Sequence, residues 1–309
     1  MKKFLNGLML AVLLSVLILP VKTFAAESES IAAFREALFA DSDAPDRVFR
    51  QDIFFVSPFA ASGINFWGMA DGDTFKSAGE FFIVIDNPDG SATEKTVPFY
   101  MTQNGKDMEI YFNGDKQWQK FTAPSLAAIV TDLVATPTAA DLEEIIANTK
   151  EVIVLQDNDY RRIMLVKLDC KKIAEDFMNK AADNPADNGA ANDGELQNNF
   201  VNYMNTALQY SDAWYMWSID KRDWHTNEVM YNFSGIIQEL ARAALEDPNQ
   251  YWSDEMSLVL ETIAFYSEVR AYTTYPDDQS AAKKKLEIPK NVLKAKSVDD
   301  INVNVSMNI

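Results

Sequence analysis

The sequence predicts an α+β fold, a large antiparallel sheet with helices packed on one side of it. Three observations lead there. Between Phe49 and Lys120 the apolar residues recur with period two in five successive segments. The separators Asp71-Gly72-Asp73, Asn87-Pro88-Asp89-Gly90, Asn104-Gly105 and Asn113-Gly114 are tight-turn chemistry, too short for the crossover that a parallel pair needs. Downstream, segments with helical period alternate with further strand pairs.

Taken in order, Ile31, Phe34 and Leu38 form one stripe of an amphipathic helix that ends in the Asp41 to Pro45 cluster. The meander follows, with strands expected at 49–56, 64–71, 80–86, 95–102 and 107–113. Both of its faces carry apolar side chains. Phe81, Ile83 and Ile85 share one face of their strand and Phe82 and Val84 the other; Ile110 and Phe112 oppose Tyr111; Phe66 opposes Trp67 and Met69. A sheet wet on one side alternates more cleanly, so a second layer or a greasy cavity is expected on one face. After Trp118 the pattern turns helical, with Thr122 as cap and Leu126, Ile129, Val130 and Leu133 on one stripe. Pro137 breaks that helix from a second, in which Thr138 and Asp141 have capping-box spacing. Strands are expected at 152–156 and 160–167, joined by Asp157-Asn158-Asp159, then helices over 170–180 and 195–210. Strands over 214–221 and 228–233, helices over 235–246 and 254–264 and a strand over 265–275 complete the chain.

The first 25 residues differ in kind. Lys2 and Lys3 precede a 12-residue apolar run, Leu8 to Leu19, with Thr23 and Ala25 at small-residue cleavage positions. This is a secretory signal, with cleavage expected after Ala25. An uncleaved anchor is disfavoured, because a membrane-spanning helix needs about 20 apolar residues. Loss of Lys2, Lys3 and Lys22 leaves 25 basic and 46 acidic side chains, a net charge of −21, on 284 residues read as one domain. An exported protein follows, periplasmic or extracellular, with no stable membrane anchor. Such an acidic surface repels a phosphate backbone, so nucleic acid is excluded as a partner.

Few residues offer chemistry. Cys170 and His225 are the only soft ligands, which excludes an internal disulfide and argues against a zinc site. The Asn- and Asp-rich stretch from Ala181 to Glu195 and the Asp71-Gly72-Asp73 turn both lack the ligand spacing of a calcium loop. The chain has no G-x-S-x-G, P-loop, G-x-G-x-x-G or H-E-x-x-H pattern. His225, in KRDWHTN at 221–227, reads as part of an exposed turn, a poor place for a general base. A pair of carboxylates for glycoside hydrolysis stays open but has no motif behind it. The chain is therefore expected to be non-enzymatic, without cofactor or metal. The Lys283-Lys284-Lys285 run reads as a solvated turn, with a docking patch as the alternative.

Several features together resemble the bacterial envelope lipid- and lipoprotein-carrier superfamily, the Lol-type carriers and the LppX/LprG-type lipid-binding lipoproteins. They are the exported N-terminus, the short first helix, the meander ending in YFNGDKQWQKF at 111–121 and the helix pair after it. The return to sheet in VIVLQDNDYRRIMLVKLD at 152–169 and the final LEIPKNVLKAK at 286–296 belong to the same pattern. The resemblance implies a strongly curved, incomplete β-barrel whose concave face is closed by helices, with acyl chains accepted between sheet and helices. Two departures are the absence of a lipid-modified cysteine and a helical insert around 170–212. The expected function is a soluble envelope carrier or chaperone binding a lipid or lipoprotein acyl chain. Phe54, Trp67, Met69, Phe82, Tyr111 and Trp217 are the candidate lining residues. The alternative for the same residues is plain core, with the chain acting as an envelope protein-interaction module.

Overall fold

A computed structural model describes residues 29–42, 47–58, 60–71, 74–86, 91–104, 107–113, 117–123, 138–183, 194–248 and 250–298. The expected signal segment, the helix expected after Trp118, several turn residues of the meander and most of the 181–195 stretch lie outside these residues.

The elements run α1 (Glu29–Ser42), β1 (Phe49–Val56), β2 (Ala60–Asp71), β3 (Thr74–Asp86), β4 (Ala92–Asn104), β5 (Asp107–Asn113), β6 (Trp118–Ala123) and α2 (Ala139–Ala147). Then come β7 (Thr149–Asp157), β8 (Arg161–Leu168), α3 (Cys170–Asp183), α4 (Gly194–Tyr210), β9 (Trp214–Asp220) and β10 (His225–Asn232). The chain continues with α5 (Ser234–Glu246), α6 (Asp254–Tyr266), β11 (Glu268–Thr274), α7 (Gln279–Lys285) and β12 (Lys296–Ser297). The strands are hydrogen-bonded in the order β12-β6-β5-β4-β3-β2-β1-β11-β10-β9-β8-β7, so the sheet ends in two edges and does not close. Pairs from β1 to β6 and from β7 to β9 are antiparallel, and β12 joins β6 in parallel. This is the α+β class expected from the alternation pattern.

Some boundaries differ from the expectation, each for a local reason. Thr122 is no helix cap: Trp118–Ala123 is a sixth meander strand, because Gln119 and Phe121 find partners in Phe112 and Ile110. His225 opens β10 instead of sitting in a turn. Helix α6 runs on to Tyr266, which delays β11 to Glu268. The Lys283-Lys284-Lys285 run is the last turn of α7, where cations face the negative end of the helix dipole.

The described elements fall into two compact units. The first contains α1, the chain from α2 to Trp224, and Met230–Arg270. Its sheet, β7 to β9, places Met164 opposite Trp217 and Val166 opposite Tyr215, and α1 covers that face by setting the fully buried Phe34 against both aromatics. Thr138 caps α2 with the reciprocal Asp141 bonds that its spacing predicts. Helices α3, α4, α5 and α6 pack each on the next. Ile236, Ile237, Leu240 and Ala244 are the buried stripe of α5, at i, i+1, i+4 and i+8. The Tyr203 hydroxyl donates to Asp247 Oδ2 at 2.6 Å, fastening α4 to the end of α5.

Arg162 is 6% exposed and is the polar centre of this unit. Its guanidinium donates to the Ala33 carbonyl (2.9 Å) and Glu36 Oε2 (2.8 Å) on α1, and to Asp157 Oδ2 (2.9 Å) on β7, with the Trp224 ring 5.4 Å away. Lys221 Nζ donates to the other Asp157 oxygen at 2.8 Å. Burial alone would raise the Asp157 pKa, but the bonds from Lys221 and Arg162 hold its carboxyl below the ordinary value.

The second unit contains β1 to β6, His225–Val229 and the chain from Ala271 onward. Glycines let its strands approach closely. A Cβ on Gly79 would stand 2.0 Å from the Asn65 carbonyl oxygen and 2.6 Å from Phe66 Cα.

Candidate functional site

The registers of β1 to β6 run without a shift, so alternate residues sort into two faces that can be followed across six strands. One row reads Arg50, Trp67, Ala78, Tyr100, Tyr111, Lys120; the neighbouring row on the opposite face reads Gln51, Phe66, Gly79, Phe99, Phe112, Gln119. The faces differ in charge. The first carries Arg50, Asp52, Lys76, Glu80, Glu94, Glu109 and Lys120. On the second, Lys95 is the one ionisable side chain among the described residues.

Five of the six candidate residues, Phe54, Trp67, Met69, Phe82 and Tyr111, lie together on the charged face. Each has a protein partner there. Trp67, Met69 and Tyr100 pack against the cluster of Val48, Ala78, Ala282 and Leu286, so α7 and the residue after it cover this part of the sheet. The Arg50 guanidinium lies over the Trp67 ring at 5.9 Å. Phe54 meets the rings of Phe82 and Tyr272 at 6.0 and 6.1 Å, and the Phe82 ring lies in the space that a side chain on Gly63 would fill. Tyr111 is 2% exposed and donates its hydroxyl to Glu109 Oε2 at 2.7 Å. Burial and that bond push its pKa up to about 12. The same bond, reinforced by Lys120 Nζ at 3.2 Å, holds the Glu109 carboxyl below its ordinary value. The sixth candidate, Trp217, belongs to the first unit, where it is 4% exposed and meets Phe34 edge-on at 5.8 Å.

The opposite face of the meander is a second apolar surface, nearly free of charge. Phe49, Phe66, Phe99 and Phe81 form a chain of ring contacts at 6.0, 6.4 and 4.8 Å. Its centre is buried: Ile53, Ile64, Phe66, Val97, Phe99 and Phe112. Toward one end the same face continues through Phe55, Phe81, Ile83 and Ile85, all only half-buried. The sequence showed both faces to be apolar. What separates them is the distribution of charge, which is visible in the sequence once the strand register is known.

Other chemistry is sparse. Burial pushes the Cys170 thiol up, away from the reactive thiolate. Among the described residues no group of three or more His, Cys, Asp and Glu side chains is placed to hold a metal ion, and no helix is long and apolar enough to cross a membrane.

No protein-family model and no curated protein matches the sequence. Among solved structures the chain is similar to LprF from Mycobacterium bovis, at 7% identity and a TM-score of 0.37 over 82% of this chain and 94% of that one. It is similar to the Mycobacterium tuberculosis lipoprotein LppX at 8% identity and a TM-score of 0.34, over 81% of this chain and 95% of that one. A DUF1329 family protein from Desulfovibrio piger is similar at 10% identity and a TM-score of 0.23, over 84% of this chain and 100% of that one. At such identities function has to be read from this chain's own residues.

Proposed function

We propose that the protein is an exported, non-enzymatic carrier or chaperone that holds an apolar ligand, a lipid or an acyl chain, against the uncharged face of β1–β6. One observation carries this: among the described residues the face holds a single ionisable side chain, Lys95, and its aromatic centre continues into the half-buried Phe55, Phe81, Ile83 and Ile85. A chain laid there gains about 0.8 kcal/mol per buried methylene. Phe54, Trp67, Met69, Phe82 and Tyr111 then serve as the support on the other side, and Trp217 as the seat of α1.

The test is mass spectrometry of an organic extract of the mature protein purified from a bacterial envelope, with a denatured and refolded sample as control. A stoichiometric acyl-chain species lost in the control supports the proposal and names the cargo class. An empty extract, with no uptake of added fluorescent fatty acid, refutes it. A protein-interaction role is favoured by a separate observation, the exposed Leu258, Val259, Phe265 and Tyr266 of α6, and that outcome would move the assignment there.

A further inference from the structure

Lysines are concentrated at one place in an otherwise acidic chain. Lys283, Lys284, Lys285, Lys290, Lys294 and Lys296 fall within 14 residues, with Glu287 the one carboxylate among them. All six are exposed. The segment that bears them is held down between them by Ala282, Leu286 and Val292, each almost fully buried. Ala282 and Leu286 sit in the cluster with Val48 and Ala78. Backbone bonds from Val292 and Leu293 to the Pro289 carbonyl fold the chain into a turn that carries Lys290 and Lys294. Beyond it, Lys296 and Ser297 pair with Gln119 and Lys120 of β6. Helix dipole compensation accounts for the three lysines in the last turn of α7 and leaves Lys290, Lys294 and Lys296 unexplained. Leu293, 53% exposed, stands next to Lys294.

We propose that α7 and the segment Leu286–Lys296 form a cationic platform that docks the protein on an anionic lipid surface. The ammonium groups meet the headgroups and Leu293 enters between them. An exposed leucine among lysines matches a surface that is charged outside and apolar beneath, which an acidic protein surface is not. The protein's excess of carboxylates does not forbid this contact. Repulsion from charges farther from the bilayer than a Debye length, about 8 Å at physiological salt, is screened, while the platform lysines touch it. Docking of this kind orients the molecule whether or not the sheet holds a ligand, so it stands independently of the carrier assignment.

The experiment is flotation of the full mature protein with vesicles of phosphatidylethanolamine and phosphatidylglycerol, and with vesicles of phosphatidylcholine alone. Wild type is expected to float with the anionic vesicles only, and to be released by high salt. The triple variant Lys290→Gln, Lys294→Gln, Lys296→Gln should bind more than about tenfold more weakly, since each lysine near an anionic surface is worth roughly fivefold. Leu293→Ser should weaken binding while leaving its salt dependence in place. Because these side chains are exposed, thermal melts of all variants should superimpose on wild type. Equal flotation with both vesicle types, or a triple variant that binds as wild type, overturns the proposal. Binding to poly-L-glutamate without binding to any vesicle overturns it in favour of an acidic protein partner.

Discussion

Two substitutions on the uncharged face of the meander separate ligand contact from core packing. Phe99 is 1% exposed and its ring centroid lies 4.8 Å from that of Phe81 and 6.4 Å from that of Phe66. Truncation to alanine removes a fully packed ring and leaves a cavity, at a cost of about 3–5 kcal/mol. At about 2–4 °C per kcal/mol for a chain of this size, Tm should fall by roughly 10 °C. Ile83 lies on the same face but is half-buried, with Ser62 and Lys95 as its cross-strand neighbours. Glutamate there keeps access to water and gains a cation opposite, so stability should change by no more than about 1 kcal/mol. A bound acyl chain would lose contact along some three methylenes, about 2.4 kcal/mol or roughly fiftyfold in affinity. The assays are a thermal melt and a fluorescent fatty-acid titration on wild type, Phe99→Ala and Ile83→Glu. The reasoning fails if Ile83→Glu melts like wild type and still binds like wild type. It also fails if Ile83→Glu loses as much stability as Phe99→Ala, because the face would then be filled core.

Gly79→Ala should destabilise the meander by about 3 kcal/mol or prevent folding, since the new methyl would meet the Asn65 carbonyl oxygen at 2.0 Å on a backbone that cannot swing aside; expression yield and a urea melt read this out. Thr138→Ala removes the hydroxyl that accepts from the Asp141 backbone N–H while the Asp141 carboxylate keeps its bond from the residue-138 N–H, and should cost about 1 kcal/mol by denaturant melt, with Thr138→Ser restoring most of it. Arg162→Met breaks the contacts to Ala33, Glu36 and Asp157 and should cost about 2 kcal/mol, a value kept small because Glu36 and Asp157 both retain access to water. Asp157 has its pKa lowered by folding, so its contribution is present above about pH 4 and is lost as pH falls further; acid titration of Asp157→Asn should show a flatter decline than wild type. Tyr111 has its pKa raised to about 12, so its contribution holds below about pH 10 and disappears as pH rises toward the folded value, which ultraviolet titration of wild type against Tyr111→Phe should detect.

Much of this architecture is local chemistry written into short stretches. The Thr138–Asp141 cap holds because both partners lie within one turn, and the meander strands hold because their period-two patterns are punctuated by turns that permit only antiparallel return. The sixth meander strand is not legible because Gln119 and Phe121 lie just before a helical stripe with Thr122 at its cap position, and only Phe112 and Ile110 placed beside them make a strand. The candidate site shows the same boundary. Phe54, Trp67, Met69, Phe82 and Tyr111 were correctly legible as aromatic and apolar residues at alternating positions. Their partners, Tyr272, Ala282, Leu286 and Arg50, were not legible, since three of those four lie more than a hundred residues away.

By itself the sequence determined the class of fold, the described strands and helices other than β6, α7 and β12, the acidic character of the chain and its shortage of soft ligands. Each of these rests on composition or on neighbours a few positions apart. Only the tertiary structure decided which face of the meander is covered by α7. It alone set the buried Arg162 among partners on α1 and β7 and anchored the lysine-rich segment through Ala282, Leu286 and Val292. The physical reason is that both faces of those strands carry apolar side chains, and the charge that separates them becomes a pattern only when the strands stand in register. The choice falls to long-range partners, whose pairing is selected by the area buried and the charges left in water when the whole chain has closed.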